Sequence, residues 1–390
     1  MRVLYVSHTS HVGGGERSLL ELLGALPSDV DPHMACPPGP LHDAVRSAGV
    51  PVTTIPGTDG SLKLHPVQTP RALADMARAA MAVRRLGRRL EADLVHGNSV
   101  RAGLIAAIAS DLGGPPAIAH VRDCLPDSTA SRLVTSIVCR RAAGVIANSS
   151  YTLEHFRGAR ALRMERVVHN PVDAERFQPE DRSYNGHAPT LGVVAQLTPW
   201  KGQADAVRTL ALVKRDFPSA RLVLAGSAKF VSRATRFDNR AYVRQLQDLI
   251  RELGVEEDVD FLGEVPDPES VYRSLDVLLV PSWEEPFGRA VVEGMAAGVP
   301  VVSTEVGGPA EIVSAPDEGV LLPAQEPETW ARAVSELLAD PDRRRQIARC
   351  ARLRATTAFT VDRHVRGVLD AYESALEPAR RKPLPREGVC

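Results

Sequence analysis

Glu285 and Glu293 stand eight positions apart in the stretch WEEPFGRAVVEGMAAGVPVV, Trp283 to Val302, with a Phe-Gly step between them and a Gly-Val-Pro turn and apolar strand after them. Pro286 and Gly288 predict helix entry near Phe287, which leaves Glu285 just outside the helix and Glu293 about two turns in. Acids near a helix start interact well with its dipole, and that is the plainest account of the pair. At about 1.5 Å of rise per residue the two are roughly 10–12 Å apart, too far to serve one atom as an acid–base pair. They can instead hold groups at opposite ends of one elongated ligand. The N–H groups from Phe287 to Arg289 would then face an anion between them. A nucleotide sugar has that shape, with sugar hydroxyls, a diphosphate and ribose hydroxyls in sequence.

Two more stretches bear on such a ligand. HVGGGERS follows the first apolar strand and opens a helix, and Gly13, Gly14 and Gly15 permit close backbone approach to an anion. The spacing is not the dinucleotide G-x-G-x-x-G, so a plain tight turn and a phosphate loop both remain open. AQLTPWKGQ occupies the equivalent place in the second half, with Lys201 at a helix start beside Gly202. A Lys there opposes the helix dipole unless an anion offsets both, the alternative being a solvated surface cation.

The elements that would position these residues alternate short apolar runs with helical patterns. RVLYVS reads as a strand and ERSLLELLGAL as an amphipathic helix with Leu19, Leu20, Leu22, Leu23 and Leu26 inward. A long helix follows over TPRALADMARAAMAVRRLGRRL, capped by Thr69 with Pro70 in its first turn. Strands separated by helices imply βαβ units and a parallel sheet, in which ligands bind beyond the carboxyl ends of the strands. His8, His96, Asn98, His120, Arg122 and Asn148 stand at such ends. From LGVVAQL the pattern restarts with ARLVLAGS, VDFLGEV, LDVLLVPS, VPVVST and GVLLP, and the polar run from Val167 to Thr190 reads as the connection. A last helix, Val361 to Leu376, is expected to end at Pro378, with a disordered tail beyond.

The bulk numbers set the frame. A chain of 390 residues suggests two domains of roughly 150–200 residues each. A net charge of −1 argues against a nucleic-acid binder that works by phosphate neutralisation. The apolar run Ala102 to Ala109 is far short of the ~20 residues needed to span a bilayer, and the N-terminus lacks the pattern of a signal peptide. Five scattered cysteines, Cys36, Cys124, Cys139, Cys350 and Cys390, without a CxxC, read as free thiols in a reducing cytoplasm and not as a zinc site.

Taken in order, HVGGGERS, HNPVDAERF, LTPWKGQ, FLGEVPDPESVYRSLDVLLVPS and PSWEEPFGRAVVEGMAAGVPVVSTEVGGPAEIV resemble the retaining glycosyltransferases of family 4, over Met1 to about Leu376. The resemblance implies a GT-B fold: two Rossmann-like doubly wound α/β domains, 1–172 and 173–360, facing across a cleft. It also implies a C-terminal helix, 361–377, that returns to the first domain, with 378–390 as tail. It implies a hexosyl transferase acting on a UDP- or GDP-sugar and an acceptor hydroxyl of a glycan, lipid or small molecule. The alternatives are another GT-B enzyme such as a nucleotide-sugar epimerase, or a catalytically weak nucleotide-sugar-binding protein.

By the resemblance, Glu285 binds donor-sugar hydroxyls, Glu293 the ribose, and Lys201 with the Gly288 backbone the leaving diphosphate. His120 contacts the donor sugar, and Gly13 to Gly15 line the diphosphate; Phe287 and Arg289 flank it. No metal and no bound cofactor is implied, and the Asp29/Asp31 and Asp258/Asp260 pairs read as solvated residues of connecting segments. One position departs from the family, which often carries Arg five residues before the Lys; here it is Gln196. That removes a charge from the leaving-group step, for which Arg289, Arg17 and Arg122 are candidate substitutes. Arg84, Arg85, Arg88 and Arg89 read as a solvated helix face or as a peripheral contact with the inner membrane surface. Trp200 and Trp283 read as packing residues.

Overall fold

Apolar runs of four or five residues, buried on both faces, build two parallel sheets in a computed structural model of the protein. The structure describes residues 1–58, 68–158, 160–180, 188–229 and 237–380. Contacts divide the chain into two units, one of Met1–Pro171 with the segment from Val361, the other of Val172–Thr360.

The strands of the first unit are β1 (Arg2–Val6), β2 (Asp31–Cys36), β3 (Val52–Thr54), β4 (Leu94–Gly97), β5 (Ala117–Val121), β6 (Gly144–Ala147) and β7 (Glu165–Val167). Their spatial order is β3-β2-β1-β4-β5-β6-β7, so the winding reverses between β1 and β4, where Val3 pairs with Leu94 and Val6 with Gly97. The helices are α1 (Gly14–Gly24), α2 (Pro40–Ser47), α3 (Gln68–Arg89), α4 (Val100–Asp111), α5 (Thr129–Arg141) and α6 (Ser150–Arg157). Leu19, Leu22 and Leu23 of α1 are buried as expected, with Leu20 and Leu26 partly so.

Several expectations need correction. α3 begins at Gln68, so Thr69 lies inside the helix and not at its cap. β7 takes Val167 from the expected connection and adds an edge strand. The closing helix runs Val361–Arg380, past Pro378. Near its end that proline forfeits little, while Val365, Val368, Ala371, Tyr372, Ala375 and Leu376 pack with α1 residues in the first unit's core. Residues 381–390, including Cys390 and the rest of the expected tail, lie outside the described residues. Arg84 is not a free member of the basic face, because its Nε donates to the carbonyl of Leu112, which ends α4, at 2.7 Å. Arg85, Arg88 and Arg89 are exposed.

The second unit repeats the winding with β8 (Thr190–Val194), β9 (Arg221–Ala225), β10 (Val259–Gly263), β11 (Val277–Val280), β12 (Val301–Thr304) and β13 (Val320–Leu322), in the order β10-β9-β8-β11-β12-β13. Its helices are α7 (Gln203–Val213), α8 (Asn239–Glu252), α9 (Glu269–Ser274), α10 (Arg289–Ala296), α11 (Pro309–Ile312), α12 (Pro327–Ala339) and α13 (Pro341–Ala358). One core packs α10 and α13 against the sheet; the other packs α7, α8 and α12. Asp29 is exposed in a turn and Asp258 lies in a connecting segment, as expected, while Asp31 and Asp260 are exposed but belong to strands. Asp31 opens β2 and pairs with Arg2 at 2.7 Å, Asp258 pairs with Lys214 at 2.8 Å, and Asp260 lies in β10 and pairs with Arg221 at 3.2 Å. The four described cysteines are free thiols. No described helix is long and apolar enough to cross a membrane.

Candidate functional site

In doubly wound sheets the crevice for ligands opens where the strand order reverses, beyond the strand ends. In the second unit that point lies between β8 and β11, paired at Leu191–Val277 and Gly192–Leu278. Gln196 and Lys201 follow β8, and Glu285 follows β11. A single 3-10 turn, Pro199–Lys201, leads to Gly202, which caps α7 at φ +70°. A Cβ at Gly202 would sit 1.9 Å from the Pro281 carbonyl oxygen, so the two strand-end loops cross at a contact only glycine allows. The Trp283 N–H donates to the Trp200 carbonyl at 2.8 Å and fixes the same crossing.

The crossing brings the Lys201 ammonium to 2.5 Å from Glu285 Oε2, with side chains 15 % and 10 % exposed. Ser282 Oγ also donates to that oxygen at 2.9 Å. The ammonium lies 4.1 Å from the Trp200 ring centroid, so Trp200 carries the cation on its face and does more than pack. Trp283 is 37 % exposed and donates its indole N–H to Asp205 at 3.2 Å. The family resemblance implies different groups of one ligand for Lys201 and Glu285; the structure joins them in an ion pair.

Glu285 is anchored through its backbone, its carbonyl accepting from Gly308 N–H at 2.9 Å. Gly288, at φ +107°, then turns the chain into α10, and its carbonyl accepts from the Val291 N–H at 3.0 Å and the Val292 N–H at 3.2 Å. Phe287 does not offer its side chain to a ligand. It is 3 % exposed, and its ring meets Phe359 edge-on at 6.1 Å in the core. Glu293, 6 % exposed, accepts from Tyr272 Oη on Oε2 at 2.8 Å and from Arg289 Nε on Oε1 at 3.0 Å. Arg289 is thus engaged with Glu293, which weakens its claim to replace the cation missing at Gln196.

In the first unit, Gly13 caps α1, while Gly14 and Gly15 are already helical. The Gly13 N–H donates to the Glu16 carboxylate at 3.1 Å, and burial pushes that carboxyl above the usual range. A Cβ on Gly15 would lie 2.8 Å from Arg122 Cδ, so this glycine makes room for the arginine. Arg122, 5 % exposed, donates to Asn98 at 3.0 Å and Asn170 at 2.5 Å, and its Nη2 lies 3.3 Å from His120 Nδ1. Arg122, another candidate substitute cation, is thereby also held internally.

His120 is fully buried; its Nδ1 lies 3.3 Å from His96 Nε2, and its Nε2 has no hydrogen-bond partner among the described residues. Burial, then the Arg122 charge, holds His120 well below the usual imidazole range, so the ring is neutral at physiological pH. His96 shifts the same way for the same causes, and its Nδ1 contacts Tyr372 Oη at 2.7 Å. His8 also belongs to this end of the sheet, burial lowering it to about 3. Sequence reasoning missed Ser282, Tyr272, Glu16, Asn170 and Tyr372 as partners of the nominated residues. Four of them lie in the quoted stretches, but only packing shows what they touch.

Two doubly wound domains of this strand order make a GT-B fold. The profile described as Glycosyl transferases group 1 matches residues 175–354, and that described as Glycosyltransferase Family 4 matches residues 12–176. The chain is 30 % identical over 310 residues to a D-inositol 3-phosphate glycosyltransferase of Nocardia farcinica, covering 73 % of this chain and 67 % of that one. It therefore belongs to the family 4 glycosyltransferases. The like-named protein of Corynebacterium kroppenstedtii is 32 % identical over 208 residues, 52 % of this chain and 43 % of that one. The chain spans about half the length of several curated relatives that it matches. Among solved structures, Anabaena HepE in complex with UDP and glucose superposes with a TM-score of 0.81 at 24 % identity, over 96 % of this chain and 100 % of that one.

Proposed function

We propose that the protein is a retaining hexosyltransferase. It moves a sugar from a UDP- or GDP-sugar to an acceptor hydroxyl without a metal ion. The observation that carries this reading is the buried Lys201–Glu285 pair at the second unit's switch point, one loop from the N-terminus of α10. An arriving diphosphate takes over the Lys201 ammonium, aided by the helix terminus, and the freed Glu285 carboxylate accepts from sugar hydroxyls. The bond from the anomeric carbon to the phosphate oxygen breaks, and the acceptor oxygen bonds on the same face. The acceptor's proton passes to the departing diphosphate, so no carboxylate nucleophile is needed. His120 and Gly13 to Gly15 keep the roles the resemblance gives them, donor sugar and diphosphate. The complex of Anabaena HepE with UDP and glucose supports a uridine donor, and the names of the relatives support a hydroxylated acceptor such as an inositol phosphate. A cytoplasmic placement with peripheral contact to anionic lipid would fall to Arg85, Arg88 and Arg89.

A thermal-shift panel of nucleoside diphosphates and their sugars, followed by donor hydrolysis with and without EDTA, tests the reading. One base is expected to stabilise the protein, with hydrolysis unchanged by chelation. Activity abolished by EDTA and restored by magnesium or manganese overturns the metal-free clamp. Nucleotide binding without turnover leaves a nucleotide-sugar-binding protein. Because Arg289 is engaged with Glu293, Gln196→Arg is expected to raise kcat by supplying the second cation. An unchanged or lower kcat in steady-state assays refutes that.

A further inference from the structure

Tyr272 lies on α9 and is fully buried, its ring edge-on to Phe177 at 5.6 Å. A buried phenol needs a polar partner. Its partner is Glu293 Oε2, 2.8 Å away and 21 residues on in sequence. Arg289 takes the other oxygen, with Nε and Nη2 both 3.0 Å from Oε1. The two carboxylate oxygens are thus fixed from two different helices, and the plane of the carboxylate is set before any ligand arrives. An ionised carboxylate has about four acceptor positions, and the three donors leave about one, on Oε2 beside the Tyr272 hydroxyl, for a ribose hydroxyl. Donors to a charged group make the shorter and stronger hydrogen bonds, which suits a group that must hold its orientation.

We infer that Tyr272 is the positioning residue for ribose recognition: by fixing Glu293 Oε2 it aims the remaining acceptor position at the ribose 2′-hydroxyl and so discriminates ribonucleotides from 2′-deoxyribonucleotides. The inference rests on the assignment of Glu293 to the ribose in the proposed function. Arg289 supplies charge to the same carboxylate, whereas Tyr272 supplies direction only, so its loss leaves the charge of the site intact. A packing role for the ring is retained in Tyr272→Phe, which keeps the contact with Phe177.

The test is calorimetric titration of the full chain with UDP and 2′-deoxy-UDP, or the guanosine pair if the panel selects that base. The unaltered protein is expected to bind the ribonucleotide more tightly. In Tyr272→Phe the ribonucleotide should weaken on the order of tenfold, the scale of one hydrogen bond to a charged group, while the deoxynucleotide holds, so that the ratio approaches one. If both nucleotides weaken by the same factor, or the ratio stays that of the unaltered protein, Tyr272 does not position the carboxylate. If the unaltered protein does not discriminate at all, the ribose assignment of Glu293 fails, and the inference with it.

Discussion

Lys201→Ala is expected to lower kcat by ~10²–10³, the scale of losing one preorganised electrostatic group at a developing charge. The substitution also strands the Glu285 carboxylate, held then by the Ser282 hydroxyl among the described residues. Breaking one side of a buried ion pair costs about 3–5 kcal/mol when the pair is wholly enclosed. The pair here is close to that limit, so part of any lost activity in Lys201→Ala will be lost fold. Lys201→Gln separates the two effects. A neutral amide still donates to Glu285 and keeps the melting temperature near normal, yet it supplies no charge to the leaving diphosphate. Its kcat should fall nearly as far as that of the alanine variant. Donor turnover close to normal in a folded Lys201→Gln protein would show that the ammonium does not stabilise the leaving group.

The two glutamates should fail in different ways. Glu293→Ala is expected to weaken the bare nucleoside diphosphate by about 10- to 150-fold, the loss of a charge-assisted hydrogen bond. Glu285→Ala should leave that affinity intact or raise it, because its carboxylate is the group from which a diphosphate must take Lys201. Its cost should appear instead as lost preference for the sugar nucleotide over the bare diphosphate. Calorimetry that finds equal losses of bare-nucleotide affinity in the two variants would refute the division of labour.

Much of this arrangement is legible in the sequence, because strand ends are local features. Four to five apolar residues followed by a polar one mark a strand end without knowledge of what packs on it, and Gln196, Lys201 and Glu285 all follow such ends. What stayed hidden depends on contacts across long separations. Lys201 and Glu285 meet across 84 positions and only because β8 and β11 are neighbours in the sheet. Tyr272 reads as an ordinary core aromatic until α9 and α10 are packed together. Phe287 stands inside the signature, where the sequence offers its main-chain N–H; that its ring turns into the core against Phe359 is visible only in the packing. Pro378 misleads because burial of the preceding helix face outweighs one local breaker.

The crossing at Gly202 bears on how such a protein can change its donor. The approach of the two loops that carry Lys201 and Glu285 is set there by main chain against main chain, Gly202 on the Pro281 carbonyl. A larger residue at 202 would push apart the two loops that carry Lys201 and Glu285, so it would lose both functions in a single step. Tolerance to mutation is therefore unequal along the loop. The crossing works as a fixed gauge, so a change of donor preference would have to be written in the side chains that project from it.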